Sequence, residues 1–295
     1  MPGRATAAAT LRALLARPGA VTAPGAYDAL SARIVEAAGF AAVYMTGYGT
    51  SAVLLGQPDV GLLSMAEMVE NARRIVQAVA VPVIADADTG YGNPLNVART
   101  LRAYEAAGLA GLHIEDQVAP KKCGHMAGKQ VIPAEEMAQK LRAAVDARRD
   151  PDFFIIARTD ARAVNGLEDA LARGERYREA GADMIFVEAP ESETEVEAIA
   201  RRFAGVPLLY NWAESGRTPP LPLARIEALG FKLVIYPVTA LFAAARAMQA
   251  AMAALRRDGD SSAFQDALVR FDDFNAFIGL PAVRELEQRY AVPAP

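Results

Sequence analysis

The sequence predicts an α/β protein of the (β/α)8 barrel class, on three observations. Short apolar runs recur at residues 20–23, 41–46, 82–86, 111–115, 153–158, 183–188, 206–211 and 232–237. Helical-period stretches lie between them, at 65–79, 95–107, 135–147, 167–180 and 193–203. Glycines 39, 108, 181 and 230 close helices just before the next run, where a left-handed residue turns the chain back. Strands too apolar for a wet face, alternating with helices, call for a parallel sheet covered on both sides. Eight of them, with no GxGxxG after the first, favour a closed barrel over a dinucleotide-binding sheet.

No linker or charge block divides the sequence, so one domain is expected over residues 1–295. With 53% hydrophobic and 22% charged residues the chain can bury a large core. A net charge of −4 offers no basic footprint for nucleic acid. No apolar run approaches the ~18–20 residues of a membrane span. The single cysteine, Cys123, excludes an internal disulfide framework and fits a reducing compartment, the cytoplasm. No acidic residue precedes Asp28, and Arg4, Arg12 and Arg17 punctuate an Ala/Leu-rich start. That composition suits a transit peptide. The alternative is a short helix with Leu11, Leu14 and Leu15 on one face, packing beside the first strand; periodicity favours it. Past the eighth run lie two more helical stretches, 241–257 and 263–290, the second rich in Phe and broken at Gly279-Leu280-Pro281. So much apolar surface beyond a complete barrel points to docking on another subunit.

Barrel active sites lie at the C-terminal ends of the strands. Here those ends read Tyr44-Met45-Thr46-Gly47, Asp86-Ala87-Asp88, Glu115-Asp116, Arg158-Thr159-Asp160, Glu188 and Asn211, after almost wholly apolar beginnings. Helix caps would explain Asp116 or Asp160 singly, but not the whole ring. On an extended chain Asp86 and Asp88 project to the same side, and Glu115 ends the adjacent strand. Three close carboxylates repel one another unless a cation neutralises them. All-oxygen ligation suits Mg²⁺, with Mn²⁺ as a substitute. His113, in an apolar strand, reads equally as a hydrogen-bonded interior residue or a ligand. Trp212 reads as packing.

After the fourth strand the chain runs Lys121-Lys122-Cys123-Gly124-His125-Met126-Ala127-Gly128-Lys129. Its two glycines predict a mobile loop on the catalytic face. Its cations are expected to favour a thiolate at Cys123 and to attract anionic substrates. Lys232 opens its strand, at the wrong end for Schiff-base chemistry, and no other lysine is expected to be buried at a strand end, which argues against a lysine-dependent aldolase.

These residues, with Gly56-Gln57-Pro58-Asp59, His113-Ile114-Glu115-Asp116 and Gly216-Arg217-Thr218-Pro219, give the chain a resemblance to the isocitrate lyase/phosphoenolpyruvate mutase superfamily over nearly its whole length. The Lys-Cys-Gly-His core of the loop marks the lyase branch. The resemblance implies a last helix exchanged between subunits of a homotetramer, and Mg²⁺ held largely through water by Asp59, Asp86, Asp88 and Glu115. It implies that Tyr44, Thr46, Gly47, Gly124, Arg158, Glu188 and Asn211 line the substrate pocket. The implied chemistry is retro-aldol cleavage of a 2-hydroxy di- or tricarboxylate to pyruvate and a carboxylic acid. Cys123 would be the general acid, with Arg158, His125 and Lys121 stabilising negative charge. Tyr44 and Asp59 are the candidates for the base. The length resembles the short branch, of 2-methylisocitrate and 2,3-dimethylmalate lyases and oxaloacetate acetylhydrolases. Pro237 stands where the hydrolases carry serine. Lys122 and Met126-Ala127-Gly128 resemble the dimethylmalate type more than the methylisocitrate type.

Overall fold

The computed structural model describes residues 5–292, so Arg4 of the candidate transit segment lies outside it. The chain forms two compact units that divide after Leu241.

The first unit is the expected barrel. Its strands are β1 (Val21–Ala26), β2 (Val43–Met45), β3 (Val83–Asp86), β4 (Gly111–Glu115), β5 (Phe154–Thr159), β6 (Met184–Val187), β7 (Leu209–Asn211) and β8 (Leu233–Tyr236). All neighbours pair in parallel, in the order β6-β5-β4-β3-β2-β1-β8-β7. A parallel bridge from Ile185 to Leu208 joins the two ends of that order. From β2 to β7 every strand residue is buried, as continuous apolar runs require.

Two cores result. One lies between strands and outer helices and includes Val35, Met68, Ile75, Leu101, Leu141 and Tyr177. The other fills the barrel with Ala23, Tyr44, Ile84, Ile156, Phe186, Leu209 and Ile235. Leu11 and Leu15, from the helix Ala7–Leu15, belong to that inner core. The N-terminal segment is therefore a helix, as its periodicity indicates; Thr6 caps it by accepting from the Ala9 amide at 3.1 Å. It plugs the barrel instead of lying beside the first strand, and Leu14 is only half-buried.

Local signals place the outer helices. Asp28–Ser31, Ser64–Glu67 and Asn93–Asn96 form reciprocal capping boxes. All four glycines read as helix ends adopt positive φ, Gly108 at 90° and Gly181 at 102° among them.

The second unit holds most of the helix Thr239–Asp258, then a 3-10 turn Ser262–Ala267 and helices Phe271–Phe277 and Leu280–Arg289. The expected stretch over 263–290 is thus three pieces, with Gly279 at φ 97° making the last break. None of these elements has a buried residue; Phe271, Met248 and Met252 are 82%, 60% and 58% exposed. No described helix is long and apolar enough to cross a membrane.

Candidate active site

Alternation along the strands builds the site. Ile84, Ile156, Phe186 and Leu209 belong to the inner core, and two residues further on stand Asp86, Arg158, Glu188 and Asn211. Register then pairs Asp86 with His113 on β4, and Glu115 with Arg158 on β5. The inner row turns from apolar to polar, mostly charged, at one end of the barrel.

Asp86, His113 and Glu115 each offer a ligand atom, all within 4.8 Å of one another. Glu115 is fully buried, and neither of its carboxylate oxygens accepts a hydrogen bond. Arg158 Nη1 approaches Oε2 at 3.3 Å. Burial pushes the Glu115 carboxyl well above its ordinary range, and Arg158 and Lys121 offset this only in part. Two orphaned buried oxygens beside a second carboxylate fit a divalent cation.

His113 Nε2 lies 2.8 Å from the Tyr44 hydroxyl and Nδ1 has no hydrogen-bond partner, so this histidine combines the interior role with a place in the cluster. Burial lowers its pKa to about 4, which leaves it neutral. Burial opposes charge on Asp86, but its surroundings more than offset that; with His113 neutral, Lys121 and Arg158 hold the carboxylate ionised.

The extended-chain argument for Asp86 and Asp88 does not hold. Asp88 has φ 46°, and its amide donates to Asp86 Oδ1 at 2.9 Å. The Asp88 carboxylate meets Lys121 Nζ at 2.7 Å, and the same ammonium is 2.7 Å from Asp59. Asp59 and Asp88 thus gather around Lys121, beside the Asp86–His113–Glu115 group. Burial raises the Asp88 carboxyl to about 6, although Lys121 pulls it down. A buried lysine in the site is contrary to expectation: Lys121 is 3% exposed, six residues past β4, where strand-end reasoning does not look. Burial works against its charge, but Asp88, Asp86 and Asp59 hold its pKa well above normal, so it is no amine nucleophile.

The loop 121–129 is folded against these groups. The Cys123 amide donates to the Asp59 carbonyl at 3.0 Å, and Gln117 brackets Lys122 through its amide (3.0 Å) and carbonyl (2.8 Å). A Cβ on Gly124 would overlap the Glu188 carboxylate and the Arg158 guanidinium, and one on Gly47 would overlap the Asp86 carboxylate. Glycine is needed at both places for close approach. The Arg217 amide donates to His125 Nδ1 at 3.1 Å, which puts the imidazole proton on Nε2, 3.3 Å from Glu188 Oε1. Asn211 Nδ2 is 3.2 Å from both Glu188 oxygens. Contrary to the thiolate expectation, burial pushes the Cys123 thiol up to about 11. Its cationic neighbours are spent elsewhere: Lys121 on Asp59 and Asp88, Lys129 on Asp160, and Lys122 on the Gly128 carbonyl.

The predicted residues therefore converge, with one distinction. Thr46 Oγ1 caps the following helix by accepting from the Gly49 amide at 3.2 Å. Sequence reasoning undervalued Asp116 and Asp160; Asp160 stands at the N-cap of the short helix Ala161–Asn165, but its side chain makes no capping hydrogen bond. Asp160 binds Arg158 Nε at 3.0 Å and Nη2 at 3.2 Å. Asp116 accepts from Thr159, the Asp160 amide, Tyr177 and Arg173. Their position directly after β4 and β5 was the signal available in the sequence; both prove fully buried.

A (β/α)8 barrel with acids gathered at its C-terminal rim and a cysteine-bearing loop folded against them defines the class, and the chain belongs to the phosphoenolpyruvate mutase/isocitrate lyase superfamily. The family model described as phosphoenolpyruvate phosphomutase matches residues 11–256. Among its relatives, the chain is 52% identical to a 2,3-dimethylmalate lyase of Eubacterium barkeri, over 96% of this chain and 98% of the relative. It is 44% identical to a 2-methylisocitrate lyase of Bacillus subtilis (strain 168), over 85% of this chain and 82% of that one. A solved oxaloacetate acetylhydrolase, in complex with the inhibitor 3,3-difluorooxalacetate, superposes with a TM-score of 0.92 at 37% identity. That match covers 98% of this chain and 99% of the other.

Proposed function

We propose that the chain is a divalent-cation-dependent carbon–carbon lyase cleaving a 2-hydroxy dicarboxylate of the 2,3-dimethylmalate type to pyruvate and propanoate. The observation that carries this reading is the place of the one cysteine, Cys123, on a loop whose Gly124 packs against Arg158 and Glu188 beside the buried acids; burial, which raises its thiol to about 11, supports it as a proton donor. The 52% identity to a 2,3-dimethylmalate lyase supports the substrate class.

Asp86 and Glu115 would hold the ion, with Asp59 and Asp88 contributing through water, and carboxylate oxygens favour Mg²⁺ with Mn²⁺ as a substitute. When bound, such an ion polarises a hydroxyl and an adjacent carboxylate. The remaining steps belong to the chain's own groups. Arg158, Gly47 and the Gly124 backbone line the substrate carboxylates, and Thr46 fixes the turn that presents Gly47. A base takes the proton of the 2-hydroxyl, the C2–O bond becomes a carbonyl, and the C2–C3 bond breaks with its electrons on C3. Cys123 delivers its proton to C3, completing the carboxylic acid product. Lys121 and Arg158 stabilise the negative charge in transit, and His125 orients Glu188 and Asn211 against the substrate. Of the two candidate bases, Tyr44 keeps its proton because burial raises its pKa well above 10. Asp59, ion-paired to Lys121, is the better choice.

A second reading, hydrolysis of oxaloacetate, is favoured by the acetylhydrolase superposition. Pro237, just past β8, has no hydroxyl to offer that reaction. We assign the enzyme to the cytoplasm as a homotetramer, with residues 242–295 extending the barrel domain and supplying an exchanged helix. The exposed Phe271, Met248 and Met252 support a subunit contact there.

The test is product release with Mg²⁺ and with EDTA: pyruvate from 2,3-dimethylmalate and 2-methylisocitrate, glyoxylate from isocitrate, and oxalate from oxaloacetate. The proposal expects Mg²⁺-dependent pyruvate from 2,3-dimethylmalate at the highest kcat/KM. Oxalate and acetate from oxaloacetate as the dominant activity would reject it.

A further inference from the structure

We infer that Lys129 is a positioning residue: its ammonium ties the Gly124 carbonyl to Asp160, locking the Cys123 loop to the ion cluster that orients Arg158. Lys129 is only 8% exposed. Its Nζ lies 2.7 Å from Asp160 Oδ1 and donates a short hydrogen bond to the Gly124 carbonyl. Gly124 follows the cysteine directly, so holding its carbonyl fixes the Gly124–His125 peptide, one residue from Cys123.

The other end of the tie is rigid. The Asp160 amide donates to Asp116 Oδ1 at 2.9 Å, and Thr159 Oγ1 to Asp116 Oδ2 at 2.8 Å. Tyr177 donates to that same oxygen at 2.7 Å. Asp160 in turn grips two guanidinium nitrogens of Arg158. One buried carboxylate thus holds both the loop, through Lys129, and the substrate-facing arginine. Asp160 is kept ionised despite burial, because Arg158 and Lys129 outweigh the loss of solvent. Removing the ammonium takes away both a bond to the loop and part of that compensation. Lys122 provides the contrast: its Nζ bonds the Gly128 carbonyl within the loop, exposed to solvent, and reaches no fixed element.

The consequence for turnover rests on the lyase reading, but the latch itself is testable without any substrate. Cys123 is the only cysteine in the chain, so its alkylation by iodoacetamide reports loop opening at one atom. Lys129→Met should speed alkylation by at least ~10-fold as the thiol gains access. It should also lower kcat on 2,3-dimethylmalate by ~10²-fold through misplacement of the reacting group. Lys129→Arg should restore slow alkylation, and Lys122→Met should stay within ~2-fold of wild type, since an exposed contact of that kind is weak. If Lys129→Met does not fold, Lys129→Gln keeps a donor for Gly124 without the charge and should move alkylation in the same direction. Unchanged alkylation in a folded Lys129→Met or Lys129→Gln overturns the latch, even where the wild type proves to be a lyase. Faster alkylation with no cleavage of any hydroxy acid by the wild type sustains the latch and rejects the lyase reading alone.

Discussion

Glu115 and Arg158 are register partners on adjacent strands, and the guanidinium stands 3.3 Å from a carboxylate oxygen that accepts no hydrogen bond. This pair sets the electrostatics of the rim, because Arg158 also faces Asp160 at 3.0 Å and Glu188 at 4.0 Å.

Replacing Arg158 with Met leaves three buried carboxylates without their shared cation. Stripping one partner from a buried ion cluster costs about 3–5 kcal/mol. Urea denaturation of Arg158→Met should show a loss of that order, and kcat on 2,3-dimethylmalate should fall by at least ~10²-fold. A variant as stable as wild type would mean that solvent screens these charges.

Glu115 links metal to stability. Burial raises its folded pKa well above 4.5, so the folded chain prefers the protonated form. Its contribution to stability is full below the unfolded value and is lost as pH climbs through the folded one. In EDTA, wild type should therefore lose stability relative to Glu115→Gln as pH rises from 5 to 8. Added Mg²⁺ should restore wild type at pH 8 and leave the variant unmoved. Calorimetric melting with parallel pH profiles for the two proteins would contradict this.

The Cys123 thiol, raised by burial to about 11, should stay protonated across the working range. Its alkylation rate should keep rising beyond pH 9, where an ordinary thiol levels off. The stability that burial lends to this neutral thiol should be intact below pH 9 and disappear toward pH 11. A reactivity plateau near pH 8.5 would show a normal thiol.

Gly124→Ala places a methyl against Glu188 and Arg158. The loop must lift, so kcat should fall by ~10²-fold while overpacking costs about 1–3 kcal/mol. Steady-state rates and thermal melts separate the two effects; unchanged kcat would mean that the loop closes elsewhere.

Much of this was legible in the chain. The strands were visible because most begin as apolar runs, β1 with its Thr22, Pro24 and Gly25 least clearly, and the rim was visible because Ile84–Asp86, Ile156–Arg158 and Leu209–Asn211 change polarity at period two. What escaped depends on folding in three dimensions. Lys121 lies in a loop, and nothing local announces that it reaches back across 62 residues to Asp59. The raised thiol of Cys123 was hidden for the same reason: Lys121 and Lys129 are engaged by acids distant in sequence, and Lys122 by the Gly128 carbonyl. His113 read equally as interior or ligand because it is both buried and bonded to Tyr44, while register also sets it opposite Asp86.

The central claim is that Cys123 protonates the carbon released by C2–C3 cleavage. The most direct measurement is cleavage of 2,3-dimethylmalate in D2O by wild type and Cys123→Ser. Wild type should give pyruvate and propanoate carrying one deuterium at its former C3, and the folded variant should be slower by at least ~10²-fold. Equal rates and equal labelling in the two proteins would contradict it.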